Sequence, residues 1–277
     1  MIESSSPNTL PQASAGTPSA ESVVTPDFLR VVAASVQGTS HEKTEQPCQD
    51  SLHWGILPHG ILVAAVADGA GSAKLSQVGS AVAARIAVET AARHKSHLLL
   101  SDDEKVWQTL MANALQAALS AVEEEAAARE VKSRELATTL ILVVVTPKLV
   151  AVAQVGDGAT VIRDQNNSIT TLTVPQSGEY INETTFLISP DALKTAQVKI
   201  WHGAVAQIAA FTDGLQMLAL EMPQGVAHAP FFEPLFEFVS GVTDEKNARE
   251  QLIAFLRSPR IRERADDDLT LLLAAFA

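Results

Sequence analysis

The stretch Ile61-Leu62-Val63-Ala64-Ala65-Val66-Ala67-Asp68-Gly69 decides the fold of this chain. It is a continuous apolar run between Gly60 and the Asp68-Gly69 pair. Such a short run between turn residues is typical of a strand that is buried on both faces, whereas a surface helix would show polar residues at helical spacing. We therefore predict a core strand over 61–67 that ends at Asp68.

Further strands are predicted on both sides of this run. Arg30 to Val36 has the β-branched content and length of a strand, and Thr138 to Val145 with Leu149 to Val155 has the pattern of a hairpin joined by Thr146-Pro147-Lys148. The other predicted strands are Ala159 to Arg163, Thr185 to Ile188, Gln207 to Thr212 and Leu269 to Phe276.

Two long amphipathic helices are predicted in succession before the hairpin. The first is alanine-rich and runs from Ser76 to about His94, and the second begins at Ser101 and Glu104, which have the spacing of a capping box. The apolar stripe of the first is Val78, Val82 and Ile86. That of the second is Val106, Leu110, Ala114, Ala118 and Val122, widened by Leu115 and Leu119.

The C-terminal part adds a Pro- and Phe-rich stretch and one more helix. We predict a loop from Pro223 to about Phe238 and a helix from about Asp244 to Leu256. Strands, a helical pair, more strands and a late helix make an α+β layout with largely antiparallel sheets.

Composition limits the classes of partner. The chain has 277 residues, 47% hydrophobic residues and a formal net charge of -12, so its overall field opposes binding to nucleic acid or an anionic membrane. No apolar run approaches the roughly 18 residues of a spanning helix, and the single Cys48 fits a reducing compartment. We predict a cytoplasmic protein with a disordered N-terminal tail over 1–25 and one domain over 26–277.

Aspartates stand where predicted core strands meet the surface. Asp68 and Asp213 each follow an apolar run and precede a glycine, and Asp267 precedes the last strand. A carboxylate at the rim of an apolar core is costly unless it is paired, hydrogen-bonded or bound to a metal. Oxygen ligands gathered from distant segments suit Mg²⁺ or Mn²⁺.

Each of these residues also has a plain structural interpretation. Asp-Gly after a strand is a common turn signal, and Asp266-Asp267-Asp268 has the composition of a solvated acidic turn. Asp50 by itself is a loop aspartate, and Gly156-Asp157-Gly158 is more typical of a tight turn than of a ligand site.

Six short segments span nearly all of the chain after residue 30, and five of them contain these aspartates. They are Gln49-Asp50-Ser51, Val66-Ala67-Asp68-Gly69-Ala70-Gly71-Ser72, Ala137-Thr138-Thr139-Leu140, Val155-Gly156-Asp157-Gly158, Phe211-Thr212-Asp213-Gly214-Leu215 and Asp267-Asp268-Leu269-Thr270. In these segments and their order the chain resembles the 2C-type family of metal-dependent serine/threonine protein phosphatases, and in particular its compact bacterial members. This resemblance favours the metal interpretation.

The resemblance implies a four-layer αββα sandwich of two antiparallel sheets, with two Mg²⁺ or Mn²⁺ ions in a cleft at one end. It implies that Asp68 bridges the two ions, that the carbonyl of Gly69 joins one of them, and that Asp213 and Asp267 hold the other. Asp50 would bind directly or through water, with Asp268 supporting these ligands. The implied reaction is hydrolysis of phosphoserine or phosphothreonine by a hydroxide that bridges the ions.

Three departures from the family pattern leave other functions open. Ala70 stands where a histidine often follows the Asp-Gly pair, Arg134 and Ala137 replace residues linked to a third metal site, and Glu45 is near the place of a phosphate-binding arginine. Lys43, His41 and Lys74 are candidate substitutes for that arginine.

The alternatives are a pseudophosphatase that binds a kinase or a phosphoprotein and a hydrolase of small phosphate esters. For the enzyme, the expected partners are a phosphorylated protein and an opposing Ser/Thr kinase.

Overall fold

Two five-stranded antiparallel sheets form the centre of the computed structural model, which describes residues 29–94, 101–176 and 184–276. The first sheet has, in spatial order, β1 (Leu29–Val36), β12 (Leu269–Phe276), β9 (Val205–Phe211), β6 (Ala159–Asp164) and β7 (Ile169–Thr173). The second has β2 (Ser51–Leu57), β3 (Ile61–Ala67), β4 (Leu140–Val145), β5 (Leu149–Val155) and β8 (Gln197–His202). The strand predicted over 61–67 is confirmed as β3, and the predicted tail lies outside the described residues.

Helices cover the outer faces of the sheets. A short β-hairpin connects two of these helices. The longer helices are α2 (Ser76–Arg93), α3 (Glu104–Ala128), α6 (Ala229–Ser240) and α7 (Glu245–Leu256). The shorter ones are α1 (Thr39–Lys43), α4 (Ala192–Thr195), α5 (Gln216–Ala219) and α8 (Pro259–Arg262). The hairpin between α5 and α6 is β10 (Leu220–Glu221) with β11 (Val226–Ala227). Single 3-10 turns occupy Pro58–Gly60, Ser133–Leu136 and Asp213–Leu215.

Apolar side chains fill three layers of core, which makes the molecule a four-layer αββα sandwich. Between the sheets, Val66 and Val143 of the second sheet pack with Ile208 and Leu272 of the first. The outer face of the second sheet packs on α2 and α3, and the outer face of the first packs on α6 and α7. The predicted α+β class and its sandwich are therefore confirmed.

The first long helix buries mainly small residues, and the predicted stripe lies beside its buried face. Val78, Val82 and Ile86 are only half-buried, whereas the buried residues of α2 include Gly79, Ala83, Ala84, Ala87 and Ala91. A Cβ on Gly79 would lie 2.1 Å from the carbonyl oxygen of Leu136. The close approach of α2 to Leu136 therefore excludes a side chain at Gly79. Val78 and Val82 pack against the core only partly, so the predicted stripe is the margin of the buried face and not its centre.

The segment from Pro223 to Phe238 is mostly helical, which corrects the predicted loop. Pro230 stands in the first turn of α6, where its missing N–H costs no helical hydrogen bond. Phe232 and Phe236 are one turn apart, stack with ring centroids 5.7 Å apart and are fully buried. The phenylalanines therefore anchor a core helix.

Two further predictions of local structure were wrong. The segment 185–188 forms turns and not a strand, because Phe186 and Ile188 pack over a small cluster of alanines and the N–H of Leu187 donates to the carbonyl of Thr138 at 2.7 Å. The cap of α3 is Asp103, whose carboxylate accepts from the N–H of Lys105 at 2.9 Å. The capping box predicted at Ser101 and Glu104 is therefore absent.

The strand register brings the motif-bearing strand ends to one edge of the sandwich. In the second sheet Ala67, at the end of β3, pairs with Ser51 at the start of β2, and in the first sheet Phe211 pairs with Ala159 at the start of β6. Antiparallel neighbours alternate in direction, so each sheet presents the end of one strand beside the start of the next.

The helices of the described residues include none long and apolar enough to cross a membrane. The cytoplasmic location stays a prediction.

Candidate metal centre

Three aspartates converge at this edge from both sheets. Asp68 follows β3, Asp157 lies between β5 and β6, and Asp213 follows β9. One carboxylate oxygen of each lies within 4.8 Å of the others, and all three residues are partly buried. The structure thus brings together two predicted ligands with a third residue, Asp157, that the sequence favoured as a turn.

The main chain of Asp68 is held by the two threonines before β4. Its carbonyl oxygen accepts from the Thr139 N–H at 2.8 Å and from the Thr138 hydroxyl at 2.9 Å, and its own N–H donates to Thr139 Oγ1 at 2.9 Å. The Thr-Thr pair therefore orients the aspartate from behind and leaves its carboxylate free to face the cluster.

Gly69 sits where no side chain fits. A Cβ there would lie 2.8 Å from the carbonyl oxygen of Gln49 and 2.8 Å from two atoms of Ser76, and the residue forms a β-bridge with Thr138. Glycine lets the loop after β3 pass between these segments and fixes the course of the main chain beside Asp68.

Asp50 lies at the start of β2 and is buried at 6% exposure. Its Oδ2 accepts a hydrogen bond from the Thr212 hydroxyl at 2.7 Å, and Thr212 in turn accepts from the N–H of Thr270 at 3.1 Å. The other oxygen, Oδ1, is buried without a hydrogen-bond partner among the described residues. An orphaned carboxylate oxygen is costly unless a cation or a proton satisfies it.

The carboxylate of Asp157, like that of Asp50, has one hydrogen-bonded oxygen and one oxygen without a partner among the described residues. Its Oδ2 accepts from the Thr184 hydroxyl at 2.7 Å, and Oδ1 is buried with no partner in the described part of the chain. Glycines flank it because Gly156 has φ +110° and a Cβ on Gly158 would lie 2.5 Å from the Phe211 carbonyl oxygen. The chain bends at Gly156 and Asp157 as it passes from one sheet to the other, and the Asp157 carboxylate lies with those of Asp68 and Asp213.

Asp267 and Asp268 form a second group with His41, whose ligand atoms lie within 4.8 Å of one another. Asp267 is exposed, whereas Asp268 is 1% exposed. Asp268 accepts from the N–H groups of Gly38 at 2.7 Å and Gln49 at 2.6 Å, and its Oδ1 lies 2.9 Å from His41 Nδ1. Asp268 therefore ties the loop after β1 and the Asp50 loop to the start of β12.

Burial and mutual repulsion raise the pKa values of the clustered carboxyl groups. Burial is the largest cause for each: it raises the pKa of Asp50 to about 7 and, with repulsion from Asp157 and then Asp267, the pKa of Asp213 to about 8. The pKa of Asp68 rises well above its usual range through burial and the charges of Asp50 and Asp213, and burial also raises that of Asp157.

No lysine or arginine compensates this charge in the parts of the chain that the structure describes. The ion pairs there include Asp268 with His41 and Asp191 with Lys194, and none includes Asp50, Asp68 or Asp213. Carboxylates that repel each other, lack basic partners and leave buried oxygens unpaired fit divalent cations with oxygen ligands.

The candidate phosphate-binding residues differ in their surroundings. His41 is buried against Asp268, whereas Lys43 and Lys74 are exposed. Ala70, at the position of the family's histidine, packs with Ala73 and Ala137 in a small buried cluster, and no proton donor stands there. Arg134 is exposed and pairs with Glu135 at 3.4 Å.

The sequence matches one family of known proteins over most of its length. The sequence profile of the family described as protein phosphatase 2C matches residues 37–257. Serine/threonine-protein phosphatase 3 of Escherichia coli K12 is 35% identical over 254 residues, which cover 90% of this chain and 98% of that protein.

Solved structures share the fold. A serine/threonine phosphatase of S. agalactiae aligns with a TM-score of 0.61 and 13% identity, over 90% of this chain and 100% of that one. The catalytic domain of a serine/threonine protein phosphatase in complex with two manganese ions aligns with a TM-score of 0.54 and 15% identity, over 90% and 98% of the two chains. With the family profile matched over most of its length, this chain belongs to the protein phosphatase 2C family.

Proposed function

We propose that this chain is a metal-dependent protein phosphatase that hydrolyses phosphoserine and phosphothreonine with two Mg²⁺ or Mn²⁺ ions. The observation that carries the proposal is the cluster of Asp50, Asp68, Asp157 and Asp213, which are buried to different degrees, have raised pKa values and lack basic partners among the described residues. A folded protein keeps such a costly arrangement where cations neutralise it.

The proposed ligand set combines the clustered aspartates with residues that the resemblance to the family implies. Asp68, Asp213, Asp267 and the carbonyl of Gly69 would hold the two ions, with Asp68 shared between them. The unpaired Oδ1 of Asp50 would bind a metal ion or one of its water molecules. Asp157 joins the set because its carboxylate lies within 4.8 Å of those of Asp68 and Asp213.

The chain itself contributes rigidity and charge. Thr138 and Thr139 lock the main chain of Asp68, Thr212 orients Asp50, and Asp268 joins the loops from behind. When bound, divalent cations in such a site lower the pKa of a water molecule that serves as nucleophile and neutralise phosphate charge. Preorganised carboxylates avoid the cost of rearrangement when charge develops on the phosphate.

The relatives support the substrate class. The E. coli relative is named a serine/threonine-protein phosphatase, and one structural neighbour is a phosphatase domain with bound manganese. The proposed partners are therefore a phosphorylated protein and a Ser/Thr kinase that opposes this enzyme, in the cytoplasm.

An activity assay with a matched variant tests the proposal. With Mn²⁺, the purified chain should release phosphate from a phosphothreonine peptide, and Asp213→Asn should reduce the rate by about a hundredfold or more while far-UV circular dichroism stays unchanged. Asp102→Asn is the control, because Asp102 is exposed and precedes α3, whose Glu104 contacts His202 at the opposite end of the sandwich.

Three outcomes would reject the enzyme in its proposed form. Phosphate release that survives Asp213→Asn would separate the activity from the cluster. An inert protein that still binds phosphopeptide would be a pseudophosphatase. Turnover of small phosphate esters alone, with no peptide hydrolysis, would make it a hydrolase of small substrates.

A further inference from the structure

An apolar cavity of about 360 Å³ lies in the outer helical layer beside the first sheet. Its walls come from α5 to α8 and include Leu218, Phe231, Leu235, Leu252 and Phe255. Phe231 and Phe255 lie with ring centroids 6.3 Å apart and form one side of it. The volume is within the range of about 300–1,000 Å³ that is typical of small-ligand sites. None of its lining residues belongs to the carboxylate cluster.

Two arginines line the same cavity without partners. Arg260 and Arg264 are four residues apart on α8 and the turn after it, so their side chains leave the same face. Neither takes part in an ion pair or a side-chain hydrogen bond among the described residues, whereas Arg262 between them pairs with Glu42. Both are exposed, and no described acidic residue lines the cavity.

Acidic residues outnumber basic ones by 32 to 20 in this chain, and the described arginines with a carboxylate partner are Arg85, Arg129, Arg134, Arg163 and Arg262. Arg260 and Arg264 are not among them, so their guanidinium groups are available to an external anion. Both guanidinium groups line the apolar cavity, so they can donate hydrogen bonds to a carboxylate or phosphate oxygen while an apolar group occupies the space beside them.

We propose that this cavity binds an amphipathic anion, with an aliphatic chain in the apolar part and a carboxylate on Arg260 and Arg264. A helical wall has its backbone hydrogen bonds satisfied internally and offers no strand edge, so it does not suit an extended peptide. The volume of the cavity also suits a single small molecule, whereas a protein partner would need a much larger contact surface. This site goes beyond the proposed phosphatase activity, and the two share no residue.

Calorimetry with dodecanoate as probe tests the site on the full, metal-free chain. Dodecanoate below its micellar concentration should bind at one molecule per chain. Dodecanol, which keeps the chain and lacks the charge, and inorganic phosphate, which has the charge and lacks the chain, should each bind at least about tenfold more weakly.

Variants connect the binding to the arginines. Arg260→Gln with Arg264→Gln should weaken dodecanoate binding by about tenfold or more and leave dodecanol binding unchanged. Arg257→Gln is the matched control, since Arg257 is exposed on the same segment and does not line the cavity. Because the exchanged side chains are exposed and unpaired, the melting temperature should stay the same.

Two results would overturn the proposal. Absence of dodecanoate binding to the unmodified chain is the first. The second is equal dodecanoate affinity of the double variant and the Arg257→Gln control, which would show that any binding is unspecific adsorption of a detergent-like molecule. Neither result depends on metal or on phosphatase activity, so failure here is distinguishable from failure of the proposed function.

Discussion

Exchange of Asp213 for asparagine should stabilise the metal-free protein at neutral pH although it removes a metal ligand. The Asp213 carboxylate lies within 4.8 Å of those of Asp68 and Asp157, and burial followed by repulsion from Asp157 raises its pKa to about 8. Asparagine keeps the shape of the side chain and removes the charge, so the neighbouring carboxylates are relieved as well.

The sign and size of the effect follow from proton linkage. The folded-state pKa of Asp213, about 8, lies above the unfolded value of 3.8, so the folded chain binds one more proton between them. Its contribution is fully present below the unfolded pKa and is lost as the pH rises through the folded pKa. One proton corresponds to about 1.4 kcal/mol per pH unit, so Asp213 accounts for a loss of about 3 kcal/mol from about pH 5 to about pH 7.

Urea unfolding of metal-free protein, followed by tryptophan fluorescence at about pH 5, 6 and 7, measures this slope. The free energy of unfolding of the unmodified chain should fall across this range. In Asp213→Asn this fall in the free energy of unfolding should be about 3 kcal/mol smaller than in the unmodified chain. In the Asp102→Asn control it should equal that of the unmodified chain. A flat or rising free energy in the unmodified chain, or the same fall in Asp213→Asn, would refute the electrostatic account of the cluster.

Three further expectations use the same site. Mn²⁺ should raise the melting temperature more at about pH 7.5 than at about pH 5.5, because protons compete for the same carboxylates; an equal shift at both would contradict this. Gly69→Ala should cost about 1–3 kcal/mol in urea unfolding, since its Cβ would meet backbone at 2.8 Å, whereas Gly71→Ala, whose Cβ meets nothing within 4 Å, should be neutral. Thr212→Val should cost about 1–3 kcal/mol and weaken Mn²⁺ binding in calorimetry, because it removes the hydrogen bond to Asp50; unchanged values for both would contradict its orienting role.

Much of the fold was predictable because several segments have a residue pattern that is typical of only one kind of secondary structure. The apolar run 61–67 and the hairpin 138–155 gave β3, β4 and β5, and α2 and α3 were expected where they occur. Their details were not, since the buried face of α2 depends on how closely it approaches Leu136, a contact between segments far apart in the sequence. The helix α6 was not predicted because it contains Pro230 and Pro234, and proline-rich segments are typical of loops.

The site was predictable to the extent that its residues stand at strand ends. Asp50, Asp68 and Asp213 were predicted as ligands and lie close together in the structure, and the register explains why these distant segments meet. Asp157 was missed because Gly-Asp-Gly is also a turn signal, although it follows an apolar run as Asp68 and Asp213 do. That shared pattern was the available signal. The hydrogen bonds that Thr184 and Thr212 donate to the carboxylates join residues far apart in the sequence, so no local sequence pattern predicts them.

Calorimetric titration of Mn²⁺ into the metal-free chain at about pH 7.5 tests the central claim most directly. We expect two ions per chain, release of protons from carboxyl groups whose pKa values are raised, and loss of at least one site in Asp68→Asn with the fold intact. Absence of Mn²⁺ binding, or equal stoichiometry and affinity in Asp68→Asn, would contradict the assignment of the strand-end aspartates as a two-metal centre.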